Sequence, residues 1–284
     1  MEDNFTTLQN LPIARTRDEV NLRHESNRKS WNEAAIRYTE EVENTIHFIR
    51  TGHSNLHPIE RANLGDLSGW CNKAIHLQCA SGRDTLSLWV EGVKQVVGVD
   101  ISDAHIANAI RLTEALNAPA NWFRCDILDT PHELDGTADL VYTGRSAITW
   151  LHDLESWANV VHRLLKPGGV FHILDDHPAS WLFDPSAESL VPSNINYIAH
   201  SEVSKGWGSN YIGDLGIPLE NMASKYERLW PISTIFQALT NTGLIIEKLG
   251  EHPESYWDYF PNINPEFQGL IPLTFSIKAR KPLG

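Results

Sequence analysis

The segment His76-Leu77-Gln78-Cys79-Ala80-Ser81-Gly82-Arg83-Asp84-Thr85-Leu86 follows a short apolar stretch and leads into a helical one. A turn at such a junction presents backbone N–H groups to a ligand at a helix N-terminus, provided small residues let the ligand come close. Gly82 supplies the conformational freedom and Ala80 the small side chain. With one glycine, the segment fits a plain strand-to-helix turn equally well. About 20 residues further on, the apolar run Val96-Val97-Gly98-Val99 closes on Asp100. A carboxylate there accepts hydrogen bonds from ribose hydroxyls, or else caps the following helix, a task open to Ser102 as well. Loop and acid together fit either a dinucleotide or an adenosyl ligand.

A second acid narrows the chemistry. In Phe123-Arg124-Cys125-Asp126-Ile127, Asp126 directly follows an apolar run, where it can accept from an adenine amino group. Two further tracts complete an ordered set: Asp139-Leu140-Val141-Tyr142-Thr143-Gly144 and Leu164-Leu165-Lys166-Pro167-Gly168-Gly169-Val170. The Lys-Pro-Gly-Gly turn stops a helix and reverses the chain into a strand.

The elements that must position these residues follow from periodicity. Short apolar runs at Ala74–Gln78, Val96–Asp100, Asn121–Arg124, Asp139–Tyr142, Val170–Leu174, Leu244–Leu249 and Leu273–Ala279 read as strands. Between them, Thr85–Glu91, Ala104–Leu116, Leu154–Leu165 and Ile232–Thr242 read as helices. Such alternation with short loops predicts an α/β fold, a mostly parallel seven-stranded Rossmann-like sheet with helices on both faces. Ligands then bind at the carboxyl ends of the strands. Ahead of the sheet, Trp31, Ala34, Ala35, Tyr38, Val42 and Ile46 recur every three or four residues, which predicts one helix over Arg23–Arg50, with a short one at Pro58–Leu64. The expected organisation is an N-terminal helical extension over residues 1–70 and a sheet domain over 71–284. The latter carries an irregular, aromatic-rich insertion at about 176–230.

Composition limits the partners. A 284-residue chain with 42% apolar and 21% charged residues has the make-up of an ordinary globular protein. Its formal net charge of −13, with no basic run, argues against nucleic acid. Cys71, Cys79 and Cys125 form neither a CxxC pair nor any metal-ligand spacing, which suits a reducing compartment. The acidic Met1-Glu2-Asp3-Asn4 is unlike a secretory leader, and no apolar run approaches a membrane span. A cytoplasmic monomer or homodimer, without metal, is the expectation.

The ordered set resembles the class I S-adenosylmethionine-dependent methyltransferases over roughly residues 25–281. That family begins its first loop with an acid followed by Gly-x-Gly-x-Gly. Here His76 stands at the acid, and Gln78, Ala80 and Gly82 at the glycines, so only Gly82 is kept. The wording is similar to a bacterial branch of small-molecule methyltransferases, with His-Leu-Gln-Cys before the glycine and Asp-Thr-Leu-Ser-Leu after it. The resemblance implies S-adenosyl-L-methionine as cofactor and S-adenosyl-L-homocysteine as product. It assigns Asp100 to the ribose, Ile101 to the adenine face, Asp126 to the adenine amino group and Ile127 to the ring edge. Gln78 and Gly82 would line the methionine portion, with Thr143 and Gly144 behind it, and Trp31 and Tyr38 would close over the cofactor.

Methyl transfer from a sulfonium is an in-line displacement, so the protein must position an acceptor and, for a hydroxyl, receive its proton. His177, in Asp175-Asp176-His177-Pro178, is the expected base because its ordinary pKa lies near neutrality; the alternative is a purely structural hydrogen bond. Arg145, Trp150, Trp181 and Tyr226 are the expected acceptor contacts, although the insertion's aromatics could equally form its own small core. No Asn-Pro-Pro-Tyr or Asp-Pro-Pro-Tyr follows Thr143, which counts against base-amine or glutamine acceptors. A nicotinamide-dependent oxidoreductase and a non-catalytic cofactor-binding module are the competing readings.

Overall fold

A computed structural model describes residues 9–208 and 211–283; the opening tetrapeptide, and with it residues 1–8 of the N-terminal extension, lies outside the described residues. The elements run β1 (Gln9–Asn10), α1 (Arg17–Glu40), α2 (Val42–Arg50), α3 (Pro58–Leu64), β2 (Lys73–Leu77), α4 (Arg83–Val90), β3 (Gln95–Asp100), α5 (Asp103–Leu116), β4 (Ala120–Arg124), β5 (Ala138–Gly144), α6 (Leu154–Leu164), β6 (Leu165–Asp176), β7 (Ser201–Ser204), β8 (Lys225–Arg228), α7 (Ile232–Asn241), β9 (Ile245–His252) and β10 (Thr274–Arg280).

The seven expected strands form one sheet in the order β4-β3-β2-β5-β6-β10-β9. The first five are parallel, and β10 runs antiparallel to both β6 and β9. The apolar runs of β2 and β3 are continuous because both faces are covered. Ile75, Leu77, Val97 and Val99 face the cluster that holds Trp157, Phe171 and Ile235. Ala74 and Val96 face the opposite one, with Val42, Ile46, Leu86 and Leu112.

The predicted helix over Arg23–Arg50 is two helices. α1 begins earlier, at a capping box in which Thr16 accepts from Glu19 N–H and Glu19 accepts from Thr16 N–H. It ends at Glu40, with Glu41 as the junction to α2 at Val42. The two halves bury different chemistry, which explains the break. α2 turns Val42, Ile46 and Ile49 into the apolar cluster, whereas α1 buries Arg23, His24, Asn27 and Ser30 beside Ala34 and Ala35.

The insertion is more regular than its sequence suggests. β7 and β8 pair antiparallel, and β1 adds to β7 with Gln9 opposite Val203. This small sheet packs against α1: Asn27 Nδ2 donates to Tyr226 O at 2.8 Å, and Tyr226 N–H donates to Asn27 Oδ1 at 2.7 Å. The helix is thereby clamped between the small sheet and α5.

Candidate active site

The turn from β2 to α4 is wound tightly. Gln78, Ala80 and Gly82 all take positive φ, at 58°, 44° and 85°. Two of the three are not glycine, so the loop stores backbone strain, as ligand-binding turns commonly do. At Gly82 space as well as φ demands glycine, since a Cβ would lie 2.5 Å from the Trp122 ring. Gln78 Nε2 donates to Ala147 O at 2.6 Å, while its Oε1 is buried without a partner.

Asp100, at the end of β3, accepts from Ala80 N–H through one oxygen and from Ser102 N–H through the other, both at 2.8 Å. Its carboxyl is only 8% exposed, and burial pushes it up to about 6 despite those bonds. Ser102, not Asp100, caps α5, its hydroxyl accepting from His105 N–H. Asp126, after β4, accepts from Leu128 N–H at 2.9 Å and from His24 Nδ1 at 2.7 Å. Burial would raise this carboxyl; the His24 bond and the Leu128 amide outweigh it and hold it below the usual range.

Between these acids and α1 lies a cavity of about 290 Å³. Gln78, Gly82, Asp100, Ile101, Asp126, Ile127 and Gly144 line it from the sheet side, and Trp31 and Tyr38 from the helix side. Tyr38 meets the His105 ring edge-on at 4.7 Å; Trp31 packs 5.1 Å from Trp150 and 4.8 Å from Trp207. His105 shares a 2.7 Å hydrogen bond between Nδ1 and Ser81 Oγ, and its Nε2 is buried with no partner. Burial pushes this imidazole down to about 3, so it is neutral.

The loop after β5 forms the far wall. At Gly144, φ is 145° and a Cβ would meet Leu174 O at 2.1 Å, which only glycine avoids. Arg145 and Ser146 follow in left-handed geometry at 63° and 66°. Ala147 and Ile148 N–H groups both donate to Asp175 at 3.0 Å. Ser146 Oγ donates to Asp176, which also accepts from Tyr256 OH at 2.6 Å and Trp257 Nε1 at 3.1 Å.

Several expected site residues stand elsewhere. His177 lies outside the cavity: its Nδ1 accepts from Ala179 N–H at 3.1 Å, which leaves the proton on Nε2, donated to Glu251 at 2.8 Å. With both nitrogens engaged, it is not placed to act as the base. Thr143 is buried inside the sheet and donates to Leu77 O at 3.0 Å. Trp181 packs 6.0 Å from His200 beside a separate void of about 20 Å³. Tyr226 has its backbone bonded to Asn27 and its ring beneath Arg23, away from the cavity. Arg145 does line the cavity, but its charge is taken by the fully buried Glu60 at 2.7 Å, to which Tyr142 OH also donates. Trp150 lines it as expected.

His24, Tyr211, Ser146 and Asp84 also line the cavity, beyond the residues expected there from the sequence. His24, Trp31 and Tyr38 recur every seventh residue on α1, a spacing that places them on one helix face and could have revealed His24.

Comparison with known proteins agrees with this geometry. Residues 74–169 match a family described as a methyltransferase domain. A protein of Synechocystis sp. called an uncharacterized methyltransferase is 32% identical over 140 residues. That match covers 47% of this chain and 60% of the relative. An S-adenosylmethionine-dependent methyltransferase from Mesorhizobium loti superimposes with a TM-score of 0.53 at 21% identity, covering 79% of this chain and 96% of that one. The geranyl diphosphate C-methyltransferase of Streptomyces coelicolor A3(2) gives 0.52 at 15% identity, covering 78% and 76%. Residues 74–169 thus match a methyltransferase domain, and the chain shares the α/β fold of solved S-adenosylmethionine-dependent methyltransferases. The domain match favours a methyl donor over a nicotinamide cofactor.

Proposed function

We propose that this protein transfers the methyl group of S-adenosylmethionine to a small-molecule acceptor through an oxygen, nitrogen or sulfur nucleophile. One observation carries the reading: a single cavity joins Asp100 and Asp126, at the ends of neighbouring strands, to an aromatic wall of Trp31, Trp150 and Tyr211. Asp100 retains lone pairs for the ribose hydroxyls, and Asp126 for the adenine amino group. Ile101 and Ile127 flank the base, while the unpartnered Gln78 Oε1 and the close approach permitted by Gly82 suit the methionine portion. The cofactor supplies an electrophilic methyl group on a sulfonium.

The chain's own work is then to orient the acceptor and exclude water. Aromatic walls suit a flat or compact acceptor. For a hydroxyl acceptor, Ser146 Oγ and Asp176 replace His177 as the route for the proton, from acceptor to Ser146 and from Ser146 to Asp176. Burial raises the Asp176 carboxyl above its ordinary value despite its three donors, which favours proton uptake. The net charge of −13 disfavours a nucleic-acid acceptor, and the Streptomyces coelicolor A3(2) enzyme of similar fold is named for a small-molecule acceptor.

Calorimetry with S-adenosylhomocysteine tests the cofactor half. Incubation with labelled donor, divided between small-molecule, RNA and protein pools, tests the acceptor half. Label confined to the small-molecule pool is expected; label on a polymer would overturn the acceptor class.

A further inference from the structure

The position at which the family carries its strand-end acid is occupied here by His76. This ring is 3% exposed, shares a 2.7 Å hydrogen bond with Thr85 Oγ1, and is pushed down to about 4 by burial. A neutral imidazole used in this way offers no charge to an ammonium group. The same cavity nevertheless has an acid close by. Asp84, the second residue of α4, lines it directly after the donor loop.

Asp84 is held in one orientation. Its Oδ1 accepts from Asn55 Nδ2 at 2.5 Å. Asn55, also on the cavity wall, is fixed in turn: its N–H donates to Ser87 Oγ at 2.9 Å, and its carbonyl accepts from Arg145 Nη2 at 2.9 Å. Among the described residues no hydrogen bond reaches Asp84 Oδ2. The adjacent Arg83 brings the opposite charge to the same wall, its Nε buried without a partner. An acid at the start of a helix also favours the helix dipole, but that role needs neither an Asn55 clamp nor a cavity face.

We propose that Asp84, oriented by Asn55, receives the α-ammonium of the donor's methionine portion. This rests on the methyl-donor reading above. A charge-assisted hydrogen bond forms from the ammonium to Oδ2, with no proton transferred.

The test compares two ligands that differ in the amino-acid portion. S-adenosylhomocysteine carries it; 5′-methylthioadenosine keeps the adenosine and the thioether and lacks it. Calorimetry on Asp84→Asn is expected to show at least about a tenfold loss for S-adenosylhomocysteine and a change within about twofold for 5′-methylthioadenosine. Asn55→Ala, which frees the carboxylate without removing it, should give a smaller loss with the same selectivity. Equal losses for both ligands in the two variants, or no loss for either, would overturn the assignment. Wild-type protein that binds neither ligand would instead overturn the methyl-donor reading, and the assignment with it.

Discussion

His24 donates a 2.7 Å hydrogen bond from Nδ1 to Asp126 Oδ2, joining the N-terminal helix to the carboxyl end of β4. Its Nε2 accepts from His152 N–H at 3.1 Å, which places the ring proton on Nδ1. One imidazole thus fastens the helix that roofs the cavity to the acid at its edge.

Removing that fastening should loosen the roof. His24→Ala leaves a buried carboxylate short of one donor and the His152 amide without its acceptor, a loss of about 1–3 kcal/mol in stability by denaturant titration. Hydrogen exchange over α1 should rise in the variant, whereas in the wild type S-adenosylhomocysteine should slow exchange over residues 25–50. Exchange insensitive to ligand would identify the helix as a static wall.

Asp126→Ala should weaken S-adenosylhomocysteine binding more than it weakens binding of the inosine analogue, in which the adenine amino group is replaced by a keto oxygen. Equal losses for both ligands would show that Asp126 does not read the amino group.

Asp100→Ala should weaken S-adenosylhomocysteine binding by about 1.5–3 kcal/mol, the scale of hydrogen bonds to a charged group. The pH dependence has a definite sign. Burial raises the free protein's Asp100 to about 6, and ribose hydroxyls prefer the ionised form. Affinity should therefore climb as pH rises from about 5 and level off above about 7, in calorimetry repeated across that range. In the folded, empty protein the same raised value works against stability: the protonated form is favoured, so Asp100's contribution falls as pH rises from about 4 to 6. Asp100→Asn should flatten both trends.

Gly144→Ala should cost more stability than Gly52→Ala. Both positions have positive φ, but Gly52 has open space around it, whereas a Cβ at Gly144 would collide with Leu174 O. The Gly52 variant should lose about 1 kcal/mol from backbone strain alone, and the Gly144 variant at least about 2 kcal/mol more. Thermal melts of the two variants measure the difference, and equal losses would remove the collision from the account.

The order of strands and helices was legible because each element is written locally. β3 is an apolar run ending in Asp100, and a parallel strand buried on both faces leaves its first polar residue at the carboxyl edge, where ligands bind. The same logic located Asp126 and the wall at Gly144. The break at Glu41 was hidden, since the apolar spacing continues across it while the buried face of α1 is largely polar. β7 and β8 were hidden too: four residues each, they carry buried Ser201, Glu202, Lys225 and Arg228, so no apolar alternation marks them.

Sequence alone therefore determined the α/β fold, the tight turn after β2 and the two strand-end acids, because chain-local patterns dictate where a strand stops. Which distant side chains complete the cavity was decided only by tertiary structure. His177 directly follows β6 at the predicted edge, yet its ring turns to Glu251, 74 residues away. Asp126 finds its donor 102 residues earlier, in His24. Such pairings depend on which elements pack together and on which hydrogen bonds burial obliges polar groups to make, and neither condition is recorded in the spacing of neighbouring residues.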